Sequence, residues 1–242
     1  MSTEALDNYP NRFSAGDGQQ LDGADEASSS ILPLPQHLAA TLRDMIIRDE
    51  LKPGDRIRER QLSEQLNVSR TPLREAIRIL VGEKLVDTLP NKGAVVASPD
   101  PEEVRQLLEV LGGLEALGGQ LAAINASDEQ ISEISALHHE MVSAYYRKDK
   151  FAYFKLNQSI HKAIVVASGN LVLVETHQHL NARLYRVRYR SNQRNDRWHE
   201  AIEQHERILD ALQARDANRL ADMMRSHLGE TWSKAREVGF AD

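Results

Sequence analysis

At 242 residues with 41% hydrophobic side chains, the chain is long enough for two domains with a core in each, which excludes a disordered protein. The absence of cysteine excludes a disulfide framework, a thiolate metal site and a cysteine nucleophile. No apolar run approaches the ~20 residues of a bilayer span and no basic-then-apolar secretory segment opens the chain, so a cytoplasmic location with no membrane partner is expected. The formal net charge of −6 argues against a nucleic-acid partner until it is divided along the chain. Residues 1–31 carry one basic and six acidic groups, 32–98 carry eleven and nine, and the remainder eighteen and twenty-one. Only the middle segment has a positive balance.

Residues 1–31 mix Ser, Gly, Asp, Gln and Ala without apolar periodicity and read as a disordered leader. From 35 to 51, Leu38, Leu42, Met45 and Ile46 repeat at helical spacing until Lys52-Pro53-Gly54-Asp55 ends the run. Arg56-Ile57 is a short edge strand, and 58–66 form a second amphipathic helix closed by Asn67-Val68. A third helix opens at Ser69 or Thr71, with Pro72 in its first turn and Leu73, Ala76, Ile77 and Leu80 on one face. Arg70, Arg74 and Arg78 recur every four residues on another face, which suits guanine edges and phosphates or, equally, a solvated charged surface. Strands at 84–89 and 94–97, joined by Pro90-Asn91-Lys92-Gly93, complete a helix-turn-helix with a wing.

The run Ser69-Arg70-Thr71-Pro72-Leu73-Arg74-Glu75-Ala76-Ile77-Arg78-Ile79-Leu80, followed by Pro90-Asn91-Lys92-Gly93-Ala94-Val95-Val96-Ala97, resembles the winged-helix domain of GntR-family transcription regulators. The resemblance spans about 34–97. It implies Arg60, Ser69, Arg70, Thr71 and Arg74 at bases and phosphates, with Lys92 and Gly93 at the minor groove. With so modest a positive charge, affinity must also come from two copies on one duplex, so a homodimer is expected.

Ser98-Pro99-Asp100-Pro101 interrupts all periodicity, with Ser98 or Asp100 capping the next helix, and marks the boundary between a domain at 32–98 and one at 99–242. Helices are expected near 101–125, 128–148, 151–167, 170–192, 196–214 and 217–237; their short connections force antiparallel neighbours, hence an all-α bundle. The fold class is therefore mostly α, a winged helix-turn-helix followed by an antiparallel helical bundle. Asn157 and His161 stand one turn apart on a common face, and His205 and His227 lie eleven residues either side of Asp216. If the last two helices fold back as a hairpin about Asp216, the two imidazoles reach equal height. Three imidazoles and an amide oxygen suit zinc, nickel or manganese; the alternative is a set of separately hydrogen-bonded core histidines.

Phe154-Lys155-Leu156-Asn157-Gln158-Ser159-Ile160-His161, Glu203-Gln204-His205-Glu206-Arg207-Ile208 and Met224-Arg225-Ser226-His227 resemble the FCD ligand-binding domain of the fatty-acid-regulator branch of GntR proteins, over about 101–237. That resemblance implies Asn157, His161, His205 and His227 as ligands of a divalent metal ion, beside which an organic acid or related effector binds. Two positions depart from it. Asn157 stands where aspartate is frequent, removing a negative charge from the site, and Leu111 stands where many members carry an arginine near the pocket. Among Arg183, Arg186, Arg188 and Arg190, interleaved with Tyr185 and Tyr189, some should pair with carboxylates while Arg183 or Arg186 enters the pocket as an anion anchor. His138, His139, His177, His179 and His199 are expected at the surface or as caps, and Trp198 and Trp232 in the core.

The reading is a cytoplasmic, homodimeric repressor that binds a palindromic double-stranded DNA operator and is switched by a small molecule, carboxylates being one class. Its closest rival is the same regulator with a metal-free pocket in which Asn157 and the histidines grip the effector directly. A metal-dependent enzyme is disfavoured because no carboxylate near His161 or His227 can be placed as a general base.

Overall fold

The computed structural model describes residues 33–191 and 198–238, with side-chain surroundings to residue 233; the expected leader at 1–31 lies outside the described residues. Helix α1 (Leu34–Ile47) buries Leu38, Leu42, Met45 and Ile46, the repeat seen in the sequence. It ends four residues earlier than expected, because Asp49 turns to φ 61 and the Glu50 and Leu51 amides both close back onto the Met45 carbonyl. Helices α2 (Glu59–Gln65) and α3 (Arg70–Gly82) follow, joined by a turn in which Asn67 takes φ 52, a left-handed value that asparagine tolerates better than most side chains. Leu73, Ala76, Ile77 and Leu80 of α3 pack onto α1, so the opposite face of α3 is left to its arginines.

The wing is an antiparallel pair, β1 (Val86–Leu89) and β2 (Gly93–Val96), in register Val86↔Val96 and Leu89↔Gly93. Asn91 (φ 62) and Gly93 (φ 74) make its tight tip. The expected edge strand is one bridge, Arg56↔Val95, reinforced by the Ile57 amide donating to the Ala94 carbonyl at 2.9 Å. Arg56 is thereby tied to the wing.

Asp100 accepts from the Glu103 amide and Pro101 occupies the first turn, starting α4 (Pro101–Asn125). Then come α5 (Asp128–Tyr146), opened by a Ser127/Gln130 capping box, α6 (Lys150–Ala167), α7 (Leu171–Ser191), α8 (Trp198–Gln213) and α9 (Ala217–Val238). Helix α4 is the hub, packing on α6, α7 and α9. By length and composition it alone among the described helices is apolar enough to cross a membrane, contrary to the run-length expectation, but 56% of that window is buried within the bundle.

Close approach of α4 to its neighbours rests on Gly118 and Gly119. A Cβ at Gly118 would lie 2.9 Å from Val165 Cγ2 and 3.4 Å from its Cα, and one at Gly119 3.1 Å from Leu220 and Met224. Val165 is β-branched and stiff in a helix, so it cannot swing aside cheaply. Gly118→Ala is expected to lower unfolding stability by about 1–2 kcal/mol, overpacking outweighing the helix-propensity gain. Gly113→Ala, which meets nothing within 4 Å, should instead be neutral or stabilising. Urea titration of both variants checks this; equal effects would show that the close approach is not a constraint.

Candidate functional site

Two sites emerge, one on each half of the described chain. The first is a cleft of about 530 Å³ between the start of α3 and the wing, lined by Arg56, Arg58, Arg60, Arg70 and Lys92. All five side chains are exposed, as are Ser69, Thr71, Arg74 and Gly93. Arg74 is held by Glu59 at 2.7 Å and Arg60 by Glu64 at 3.0 Å, whereas Arg70 and Lys92 make no ion pair with a described residue. Arg60 sits in the first turn of α2. Arg56 and Arg58 extend the expected set, and the alternation of basic groups in Arg56-Ile57-Arg58-Glu59-Arg60 is the sequence signal that marks them.

The second site lies inside the bundle, where α6, α8 and α9 bring His161, His205 and His227 together. One ring nitrogen from each lies within 4.8 Å of the others, and the ring centroids are 4.8–5.1 Å apart. The expected hairpin about Asp216 places His205 opposite His227 as the spacing required. His161 and His205 are buried, and Asn157 is buried one turn before His161 on α6. Four polar atoms here lack a hydrogen-bond partner: His161 Nε2, both nitrogens of His205 and Asn157 Oδ1. Leaving such atoms unsatisfied costs about 1–3 kcal/mol each, so the cluster is built for something that accepts lone pairs. The donor set of imidazoles and one amide oxygen fits a borderline divalent cation.

A surrounding shell orients these ligands. His161 donates from Nδ1 to Glu115 Oε2 at 2.7 Å, turning its Nε2 lone pair inward, and His227 donates from Nδ1 to Gln204 Oε1 at 2.7 Å, Gln204 being itself tied to Glu230. Glu115, wholly buried on α4, also accepts from His177 Nε2 at 3.2 Å and Arg188 Nη1 at 3.3 Å. Burial pushes its carboxyl up, but the neighbouring His161 and Arg188 groups and the hydrogen bonds from His161 and His177 outweigh this and hold it well below the ordinary carboxylate range. Burial, reinforced by the neighbouring imidazoles, holds His205 well below the usual histidine value, so it is neutral and its lone pair is available.

Several expectations are corrected. Arg183 pairs with Glu103 and Arg186 with Asp49 at 2.6 Å, so neither enters the histidine cluster; the buried guanidinium is Arg188. His138 and His177 are buried rather than superficial, His138 stacking 6.5 Å from His205, while His139, His179 and His199 are exposed. A carboxylate does lie at His161, but Glu115 is engaged on three sides and acts as an orienting group. Leu111 is fully buried in a leucine cluster with Leu184 and Leu228. Trp198 is core, stacked on Tyr153 at 4.9 Å, and Trp232 is partly buried against that leucine cluster.

Residues 34–96 match the family model for bacterial regulatory proteins of the gntR family, and residues 106–230 match the FCD domain. The chain belongs to the GntR family. As a GntR regulator carrying an FCD domain it is a DNA-binding transcription regulator and not an enzyme. It is 27% identical over 206 residues to the HTH-type transcriptional repressor RspR of Escherichia coli K12, spanning 85% of this chain and 90% of that protein. It is 29% identical over 195 residues to the repressor GlaR of the same organism, spanning 77% and 89%. The structure of E. coli McbR/YncC superposes with a TM-score of 0.77 at 22% identity, over 86% of this chain and 99% of that one, which places the two GntR regulators in one fold.

Proposed function

We propose that this GntR regulator is a cytoplasmic, homodimeric repressor whose winged helices, within 32–98, read a palindromic operator and whose bundle, within 99–242, binds a divalent metal ion and a small-molecule effector. The observation that carries the reading is the coexistence in one chain of a basic cleft on a winged helix and a buried cluster of unpartnered histidine nitrogens. Repression is supported by the two E. coli relatives named as repressors. Asn157, His161, His205 and His227 would hold the metal, whose chemistry here is to supply a Lewis-acidic anchor for the effector and to fasten α6, α8 and α9 together.

Dimerisation is supported by the outer face of α4. Val110, Leu114, Leu117, Leu121 and Ile124 follow a 4-3-4-3 spacing, the seam of a helix that pairs with a helix, and Val110, Leu117 and Ile124 are 53%, 42% and 66% exposed. A single charge in that seam tests it together with DNA reading. Arg70→Ala is expected to weaken an operator selected from random duplexes by about 1–3 kcal/mol while relaxing its sequence preference. Leu117→Glu should weaken the same operator by leaving monomers in sedimentation. Unchanged affinity and preference with Arg70→Ala would remove Arg70 from the interface.

Coupling between the sites is supported by three contacts of α1 and the turn that ends it. Asp44 pairs with Lys155 of α6, Arg48 lies 3.8 Å over the Phe151 ring of α6, and Asp49 pairs with Arg186 of α7. Lys155 is two residues from Asn157, and Arg186 two from Arg188. The helices that line the pocket therefore also grip the DNA-reading unit, and an effector that prefers one arrangement of α6 and α7 shifts the heads between competent and incompetent spacings. Asp49→Asn with Arg186→Gln should leave operator binding by the effector-free protein in place while reducing the effector-induced change in affinity severalfold. A full response would place the coupling elsewhere.

Metal occupancy is read by thermal melting. Chelation should lower the midpoint and one of zinc, nickel or manganese should restore it; at a hundred times the dissociation constant the metal adds about 2.7 kcal/mol. His205→Ala should abolish the restoration. If chelator and metals leave the midpoint unmoved, the metal-free pocket is the correct form of this reading.

A further inference from the structure

The three clustered histidines are not held alike. His161 has its Nδ1 on Glu115 and His227 has its Nδ1 on Gln204, each at 2.7 Å, so both rings are fixed in tautomer and in orientation. His205 is different. One of its nitrogens lies within 4.8 Å of those of the other two histidines, yet both are buried and neither has a hydrogen-bond partner among the described residues. A neutral imidazole carries one N–H and one lone pair, so a ring that turns its lone pair to a cation leaves its N–H to be satisfied on the far side. Without an acceptor there, either tautomer is open to His205, and only one presents the right nitrogen.

His138 of α5 has the matching deficit. It is 6% exposed, and its Nε2 is buried with no partner among the described residues. Its ring lies 6.5 Å from that of His205, with the two planes 21° apart. The Ile202 backbone, one turn before His205 on α8, bonds to the same ring and holds it against α8 at the level of His205. The other imidazole beside it, His139 at 6.0 Å, is exposed and has its Nδ1 at the Ser135 carbonyl. A direct N–H···N bond brings two imidazole centroids to about 5 Å, and one intervening water brings them to about 7 Å. The separation of His138 and His205 suits the second.

We propose that His138 is the positioning residue for His205: one shared water accepts the His205 N–H and donates to His138 Nε2, which fixes the His205 tautomer and aims its lone pair at the metal ion. The proposal rests on the metal reading above, and His138 itself touches no metal. It completes a set in which each clustered histidine is oriented from a different helix, His161 by Glu115 of α4, His205 by His138 of α5 and His227 by Gln204 of α8. Helix α5, which supplies no ligand, is thereby tied to the occupancy of the site.

The test strips full-length wild type, His138→Phe, His138→Gln and His139→Phe with chelator and titrates each with cobalt(II), whose visible absorption bands report ligand number and geometry; thermal melting of the stripped proteins accompanies it. Wild type should bind cobalt(II). His138→Phe, which keeps a ring but no nitrogen, should bind it about ten- to a hundredfold more weakly and with altered bands, the loss typical of a partner that orients a ligand. His138→Gln can both donate and accept, so it should recover most of the affinity and the wild-type bands, and His139→Phe should match wild type. Wild-type affinity and bands in His138→Phe overturn the proposal, as does a loss that His138→Gln leaves unrelieved, since that is an effect of packing. Should stripped His138→Phe melt well below wild type, His138→Leu takes its place under the same criteria. A wild type that takes up neither cobalt(II) nor zinc fails the metal reading and the proposal with it, whereas uptake by wild type with no difference among the variants overturns the proposal alone.

Discussion

One buried carboxylate organises the interior of this protein. Glu115 projects from the hub helix α4 into the closed interior of the bundle, where an isolated charge would be forbidding. It is tolerated because three donors converge on it, His161 from α6 and His177 and Arg188 from α7. Each of those bonds fixes something else. The bond from His161 sets that ring's tautomer, the bond from His177 determines which of its nitrogens faces away, and the bond from Arg188 holds the end of α7 against α4. Replacing Glu115 by a neutral side chain would strand a buried guanidinium and release the ring whose lone pair faces His205 and His227, so the ligand geometry and the α4–α6–α7 packing depend on the same oxygen atoms.

On the proposed reading, that dependence is what lets a bundle without a hinge serve as a switch. The elements that hold α1 of the DNA-reading unit, Lys155 and Phe151 on α6 and Arg186 on α7, lie within one or two turns of the polar cluster on the same helices. A helix transmits rotation along its length because its backbone hydrogen bonds are short-range and stiff. Surface ion pairs such as Asp44–Lys155 are worth little singly, but three contacts at the end of one short helix and the turn after it define an orientation more than they define a binding energy.

Much of this is legible in the sequence, and the parts that are not share a cause. Helix limits in the bundle fall within a few residues of expectation because Asp100, Ser127 and Asp149 are true caps, and equal spacing about Asp216 is enough to set His205 against His227. What spacing along one helix cannot reveal is which face turns inward. Arg186 and Arg188 are two residues apart and so point to opposite sides, and the inward one is Arg188, not the expected Arg183 or Arg186. The inward stripe of α7 is His177, Asn181, Leu184, Arg188 and Ser191, a 4-3-4-3 pattern present in the sequence but masked by four arginines that look alike. Glu115 is hidden the same way: a lone acid in register with Leu108 and Leu111 is the signal, and a stretch of ordinary helix formers conceals it.

The inward turn of Arg188 also clarifies what the departures at Asn157 and Leu111 do. Leu111 is fully buried among Leu107, Leu184 and Leu228, so no charge can be carried at that point of α4 without breaking a leucine cluster. One turn further along, at Glu115, a positive charge arrives from α7 instead. Asn157 removes a negative charge from the proposed ligand set. The asparagine leaves a held cation without a compensating charge from its ligands, whereas Leu111 takes a positive charge away, and Glu115 is the only acid buried among the described residues. On the proposed reading, the free energy that an effector releases on entering is available to select one arrangement of α6 and α7, which is the property a switch requires.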